Sequence, residues 1–328
     1  MQMRVTRTEL QLKGCGSFCF MILSTLTIRA VIAFLLSYII TPMTRMLSVV
    51  VGALDKPDGY RKINTRPMPR LGGLGFFAAA SFMLFPTVSE SPTVAAMLAG
   101  GSILMVGGVA DDTYGLSPAT KLFIQASASA VALAFIGIPA YISFFGIFRL
   151  SLNGAVGAAI ALLRMIFTVN AVNFTDGLDG LASGISATAF ISLAVFGVYS
   201  GSAVPAASSL ILAFAVLGFI PHNRYRAKVF MGDCGSQFLG LAIALLSLGV
   251  SRGGGFTIET AFFLAIPTLD TAFAVISRLL RGKSPFSADK GHLHHVLLHL
   301  GIPHPLAVKF LVYASALISA VTLIIARP

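Results

Sequence analysis

Residues 155–200 read AVGAAIALLRMIFTVNAVNFTDGLDGLASGISATAFISLAVFGVYS. The apolar runs 155–172 and 181–200 are each close to the ~20 residues that carry a helix across a bilayer. Between them stand Asn170, Asn173, Asp176 and Asp179, with Gly177 and Gly180 interspersed. An apolar run that stops for a polar turn and then resumes predicts two spanning helices joined by a tight connection. Carboxylates inside a bilayer are costly, so the turn belongs at the membrane's edge.

Outward from this pair the same pattern repeats. Of the 328 residues, 56% are hydrophobic and 11% charged, against about 25% charged in soluble domains. Ten windows are long and apolar enough to span: 25–50, 71–88, 94–110, 119–137, 155–172, 181–200, 204–220, 235–250, 257–277 and 306–326. The expected fold is an all-α polytopic integral membrane protein, a bundle of about ten transmembrane helices. Thirty-two glycines suit close helix packing in lipid. Residues 25–328 read as one transmembrane domain. Residues 1–24 form a separate N-terminal segment, where Arg4, Arg7 and Lys13 precede FCFMILSTLTI. That resembles a signal peptide without a small-x-small cleavage site, and an uncleaved first segment is expected. Cys15, Cys19 and Cys234 match neither a zinc pattern nor a disulfide framework.

Charge gives the orientation. The connections after spans one, three, five, seven and nine fall on one face by parity and hold 13 Lys/Arg. The opposite connections hold Arg149 and Arg252, with Arg327 near the end of the chain. Positive loops face the cytoplasm, so the first face is expected to be cytoplasmic, although this count puts the basic N-terminus outside. The net charge of +11 then reads as basic loops and an anionic partner, not nucleic-acid binding. Eight of twelve acids share that face: Asp55, Asp58, Asp111, Asp112, Asp176, Asp179, Asp233 and Asp289. The positive-inside rule says nothing about carboxylates, so a shared site is the better explanation of their collection.

Four motifs carry the chemistry. In GGVADDTYGLSPATKLFIQ (107–125), Asp111 and Asp112 repel each other unless a cation intervenes, and Lys121 is placed to supply one. In the opening stretch, Asn170, Asn173, Asp176 and Asp179 recur every third residue, so several can face one cavity. Gly177 and Gly180 are placed to break the helix there. Oxygen-only ligands of this kind suit a hard ion such as magnesium. In KVFMGDCGSQFLG (228–240), Asp233 precedes span eight and Ser236 can cap it. In RGKSPFSADKGHLHHVLLHLG (281–301), Arg281, Lys283, Lys290, His292, His294 and His295 form a basic segment that suits phosphate oxygens better than zinc. His299 and His304 read as ordinary loop residues. Asp270, inside span nine, is equally compatible with helix packing and with a role in the site. Carboxylates beside cations are the parts of magnesium-assisted phosphoryl transfer. GGLGFF at 72–77 reads as helix packing, not as a phosphate loop.

These motifs, together with DKPDGYRKINTRPMPRLGG near residue 60, resemble the polyprenyl-phosphate N-acetylhexosamine-1-phosphate transferases, the membrane family with WecA-like and MraY-like branches. The likeness spans roughly residues 30–326. It implies transfer of a sugar 1-phosphate from a UDP-sugar to undecaprenyl phosphate at the cytoplasmic face of a bacterial inner membrane, with release of UMP. It also implies Mg2+, or Mn2+ in its place, held by Asp233 and Asn173. Asp111, Asp112 and Asp176 would lie at the catalytic centre, and Asp179 near the uracil. Lys121, Arg281, His292, His294 and His295 would contact the substrates. Leu293 separates His292 from His294, whereas the MraY-like branch, which takes UDP-MurNAc-pentapeptide, has three consecutive histidines; the WecA-like branch, which takes UDP-GlcNAc, is the nearer. Asn64 stands where the family often has histidine. Direct attack by the lipid phosphate and an aspartyl-phosphate intermediate both fit these residues, and a homodimer is compatible with them. A secondary transporter is the rival class. It predicts polar sites at mid-membrane and on both faces.

Overall fold

The structure is a computed structural model, and it describes residues 7–55, 67–251, 255–282 and 292–326. Hydroxyl and amide caps set where the long helices begin. Ser91 accepts the Val94 N–H and Pro92 opens α3 (Pro92–Tyr114). Ser117 accepts the Thr120 N–H and Pro118 opens α4 (Pro118–Ile136). Asn153 accepts the Val156 N–H at 2.8 Å before α5 (Gly154–Thr175). Such caps satisfy N–H groups that the first helical turn leaves free, and proline loses nothing there. The other helices are α1 (Arg7–Val51), α2 (Gly73–Leu84), α6 (Leu181–Tyr199), α7 (Ala203–Asn223), α8 (Gly232–Gly249), α9 (Ala265–Leu280), α10 (Leu293–His299) and α11 (His304–Ile325).

Among the described residues, nine helices are long and apolar enough to span a membrane. They match nine of the ten expected windows. The exception is the window at 71–88, which is α2 followed by a single 3-10 turn, Phe85–Thr87. Pro86 has no N–H to continue the α-helix. Ahead of α2 lies a non-helical lead-in, residues 70–72, in which Gly72 already has helical angles of φ −59° and ψ −27°. Its N–H groups all find partners: Arg70 on Ala53 O at 3.1 Å, Leu71 on Ser48 Oγ at 3.1 Å and Gly72 on Phe230 O at 2.9 Å. Non-helical backbone at membrane depth requires this kind of satisfaction.

α8 is the hub. Nearly all of it is buried, and α2, α3, α5, α6 and α7 pack around it. Side chains as small as hydrogen allow that approach: a methyl at Gly108 would run into the Cys234 backbone, and one at Gly73 into Gly235. The glycines at 72–77 therefore serve helix packing, as expected. Lipid-facing sides stay apolar, as at Met43, Val106, Leu163 and Phe310.

The odd connections gather at one end of the bundle and the even ones at the other, following the parity count. The even end carries a small sheet that the all-helical reading did not anticipate: β3 (Tyr141–Phe144) pairs with β4 (Phe148–Ser151) and, in parallel, with β5 (Phe256–Thr257). The odd end carries β1 (Leu54–Asp55) antiparallel to β2 (Met68–Pro69). Arg164, within α5, was also unanticipated. It donates to Ser247 Oγ at 2.6 Å and Thr260 Oγ1 at 3.1 Å, and lies 4.7 Å from the centre of the Phe256 ring.

Candidate active site

Successive residues on a helix point about 100° apart, and that separates the adjacent acids ending α3. Asp111 turns toward α4, where Lys121 Nζ meets it at 2.5 Å and the Leu116 N–H at 2.7 Å. Asp112 turns toward α8 and accepts the N–H groups of Asp233 (3.1 Å) and Cys234 (3.2 Å). Its carboxylate therefore caps α8 at the positive end of that helix, and the Arg70 guanidinium closes on it at 3.2 Å. Gly232 makes the approach feasible. Its φ is +71°, and a Cβ there would collide with Arg70 O and the Asp112 carboxylate.

Asp233, in the first turn of α8, joins the two halves. Lys121 Nζ lies 3.1 Å from one oxygen and Arg70 Nη2 3.5 Å from the other. Gln237 donates from one turn further on at 3.4 Å. Arg70 also reaches Asp55 at 3.9 Å. The arrangement alternates: Lys121 stands between Asp111 and Asp233, while Arg70 stands between Asp112, Asp233 and Asp55. The charge of Lys121 was expected here. Arg70 ends a loop motif in which nothing local distinguishes it from the other basic residues. The carboxylates hold the Arg70 pKa up against the opposing effect of its burial.

The opening stretch divides. α5 ends at Thr175 and Gly180 takes φ +81° before α6, so the glycines break the helix as expected. Asn173 donates to Ser236 Oγ at 3.0 Å, and Asn170 to Gln125 Oε1 at 2.7 Å, so both face α4 and α8. Asp176 caps α5 close to the cluster. Burial raises its pKa to about 8, opposed by Arg70 and reinforced by Asp233, Asp112 and Asp179. Asp179 turns elsewhere. Its carboxylate accepts the Ala227 N–H at 3.1 Å and its own N–H donates to His304 Nε2 at 3.2 Å. His304 is thus a structural partner of this turn, not an ordinary loop residue.

The histidine segment docks beside the turn. Asp270 accepts from His292 Nδ1 at 2.9 Å and from the Leu293 N–H at 2.6 Å. Asp270 thus ties α9 to the histidine segment. Arg278 Nη2 lies 3.3 Å from His292 Nε2. Arg278, which is buried, was not foreseen; Arg281 stands exposed at the end of α9. His292 stacks at 5.8 Å on His294, whose ring lies against Gly177 and 4.3 Å from that of His295. Burial, and next its two histidine neighbours, lower the His294 pKa to about 4. His294 is therefore neutral at pH 7, and the basic character expected of it is corrected to that of a hydrogen-bonding imidazole. Asp58, Asn64, Lys283, Asp289 and Lys290 lie outside the described residues.

Among the described residues no three His, Cys, Asp or Glu side chains form a ready metal cage. Asp111 and Asp233 nevertheless already converge on one cation, the Lys121 ammonium. The Asn173 amide stands one helical turn along, and these hard oxygen donors fit a magnesium ion in company with substrate phosphates.

Comparison with known proteins places the chain. Residues 94–251 match the model of glycosyl transferase family 4. The chain is 34% identical over 312 residues to the probable undecaprenyl-phosphate N-acetylglucosaminyl 1-phosphate transferase of Bacillus subtilis, covering 92% of this chain and 86% of that protein. It is 34% identical to the decaprenyl-phosphate N-acetylglucosaminephosphotransferase of Mycolicibacterium smegmatis, covering 87% and 78%. The undecaprenyl-phosphate alpha-N-acetylglucosaminyl 1-phosphate transferase of Escherichia coli K12 is 28% identical, covering 91% and 83%.

Proposed function

Because the chain belongs to glycosyl transferase family 4, as a multi-pass membrane glycosyl-1-phosphate transferase, we propose that it moves N-acetylglucosamine 1-phosphate from UDP-GlcNAc to undecaprenyl phosphate. UMP leaves, and the lipid-linked pyrophosphoryl sugar begins a cell-envelope polysaccharide. The observation that carries this reading is the alternation of Lys121 and Arg70 with four carboxylates at one end of the bundle. A lipid acceptor has its phosphate at that level, and a soluble nucleotide reaches it from the adjoining water. The excess of Lys/Arg on this face supports reading that water as the cytoplasm.

The acceptor phosphate has a second pKa near 6, so much of it is dianionic at neutral pH and needs little help from a base. Its oxygen forms a bond to the β-phosphorus of the donor. The bond from that phosphorus to the bridging oxygen breaks, and the electron pair departs with UMP. Lys121 and Arg70 screen the two approaching anions. Asp176, largely protonated at pH 7, offers a donor to phosphate oxygens. Asp233, Asn173 and Asp111 supply the ligands for magnesium, which when bound neutralises diphosphate charge. Asp112 acts through α8, fixing the turn that carries Asp233. His292 and His294, stacked beside the Gly177 turn, offer imidazole nitrogens to the substrates. Asp179 and Arg281 remain candidates for the uridine and sugar ends.

Purified protein incubated with magnesium, undecaprenyl phosphate and a panel of UDP-sugars tests the reading through UMP release. UDP-GlcNAc should give the fastest release and Asp233→Ala should abolish it while the protein stays folded. Faster turnover of another UDP-amino sugar or of UDP-MurNAc-pentapeptide would move the donor. Full activity in Asp233→Ala would sink the assigned metal site.

A further inference from the structure

A second basic recess lies at the same end of the bundle, walled by Thr41, Pro42 and Arg45 of α1 and by His222, Lys228 and Val229 at the end of α7 and in the loop beyond, with a cavity of about 170 Å3. Its construction follows from Pro42. Proline has no N–H to bond the carbonyl four residues back, so the Tyr38 oxygen is released from the α1 ladder. His222 Nε2 lies 3.0 Å from that oxygen. A carbonyl only accepts, so Nε2 carries the proton. The histidine is thereby fastened between the two helices, and its ring stands 4.8 Å from the Tyr38 ring.

Arg45 and Lys228 complete the recess as exposed cations, and no acid lines it. Among the described residues no carboxylate pairs with either. Arg45 lies six residues before the end of α1, roughly 9 Å below it, and a long basic side chain so close to a helix end can snorkel toward headgroups. Next to it α1 presents an apolar flank to lipid: Ile39, Met43, Met46 and Val50 are all more than half exposed.

We propose that this recess binds the phosphate of an anionic phospholipid, with the acyl chains along the α1 flank, and that it communicates with the catalytic turn. The wall residue Lys228 follows Ala227, whose N–H holds the Asp179 carboxylate. The Lys228 N–H bonds back to His222 O at 2.8 Å, and the Phe230 N–H to Pro69 O at 2.8 Å beside Arg70. Within the turn from His222 to Lys228, Arg226 is held at φ +56°, a conformation that surrounding bonds must sustain in a non-glycine residue. A phosphate clasped by Arg45 and Lys228 tightens this loop.

Native mass spectrometry of the full-length protein in detergent, supplied with phosphatidylglycerol or phosphatidylcholine, tests the site without recourse to activity. Wild-type protein should retain phosphatidylglycerol preferentially, and Arg45→Gln/Lys228→Gln should weaken that retention roughly tenfold. If the double variant fails to fold, Lys228→Gln alone, at an exposed loop position, carries the same test. Equal retention of both lipids, or unchanged retention in the variants, overturns the proposal. Displacement by excess inorganic phosphate would keep a phosphate site but overturn a lipid as its source. In vesicles, phosphatidylglycerol should raise wild-type UMP release and leave the double variant unmoved. A positive binding result with no UMP release from any donor would overturn the catalytic reading and leave the lipid site standing.

Discussion

Asp270 holds His292 and the first N–H of α10 at the same time, and Arg278 meets the imidazole from its other nitrogen. The carboxylate fixes which nitrogen carries the proton, as partners of functional histidines commonly do. Asp270→Asn should lower kcat about tenfold or more with little change in the donor KM, since orientation and not binding is lost. Steady-state UMP release measures this, and an unchanged kcat would reduce Asp270 to a packing role. His294 gives a pH signature. Unfolded, it protonates near pH 6.5; folded, its pKa is about 4, chiefly through burial. Between those values the unfolded chain binds the extra proton, so stability falls as pH drops through that window. Thermal unfolding across pH 4–7 should show the slope, and His294→Gln should flatten part of it. Gly177→Ala meets the His294 ring, an overpacking that should cost about 1–3 kcal/mol by the same measurement. The residues that sequence alone exposed were those clustered in motifs: Asp111, Asp112, Asp233 and the histidines. Arg70 and His304 escaped because their partners lie far along the chain, and Arg278 because nothing local distinguishes it from the basic residues that follow it.

At the scale of elements, nine spanning helices were legible from hydropathy windows, and proline and hydroxyl pairs marked several starts. The length of α2 was not, because Pro86 ends it and a non-helical lead-in at 70–72 precedes it. The sheet at the even end was hidden for a related reason: β3 and β5 are more than a hundred residues apart and are too short to announce themselves. The start of α8 depends on Asp112, which belongs to α3. Asp112→Ala removes a cap and a partner of Arg70 and should destabilise the protein by about 2 kcal/mol. Asp112→Asn keeps an acceptor and should cost less. Thermal unfolding in detergent separates the two. Equal stability of wild type and Asp112→Ala would mean that water replaces the cap.

For the whole molecule, parity of the spans placed the acids together, and that placement made the site legible before any coordinates. Tyr114 and Ile147 lie at opposite ends and are each more than four-fifths exposed. In oriented vesicles, with Cys15 and Cys19 replaced, cysteines introduced singly at these positions should react with an impermeant maleimide from opposite sides. Labelling of both from one side would refute the arrangement of the bundle. Buried Cys234 should stay silent in both.

The lead-in at 70–72 bears on how the protein tolerates its surroundings. A tilted helix answers a thicker bilayer by standing upright. A lead-in whose N–H groups are all bonded to other elements has less such slack, and here it begins at Arg70. Vesicles of longer-chain phosphatidylcholine should therefore tug the guanidinium away from its carboxylates and slow turnover, so that the width of the surrounding hydrocarbon acts as a throttle on the chemistry.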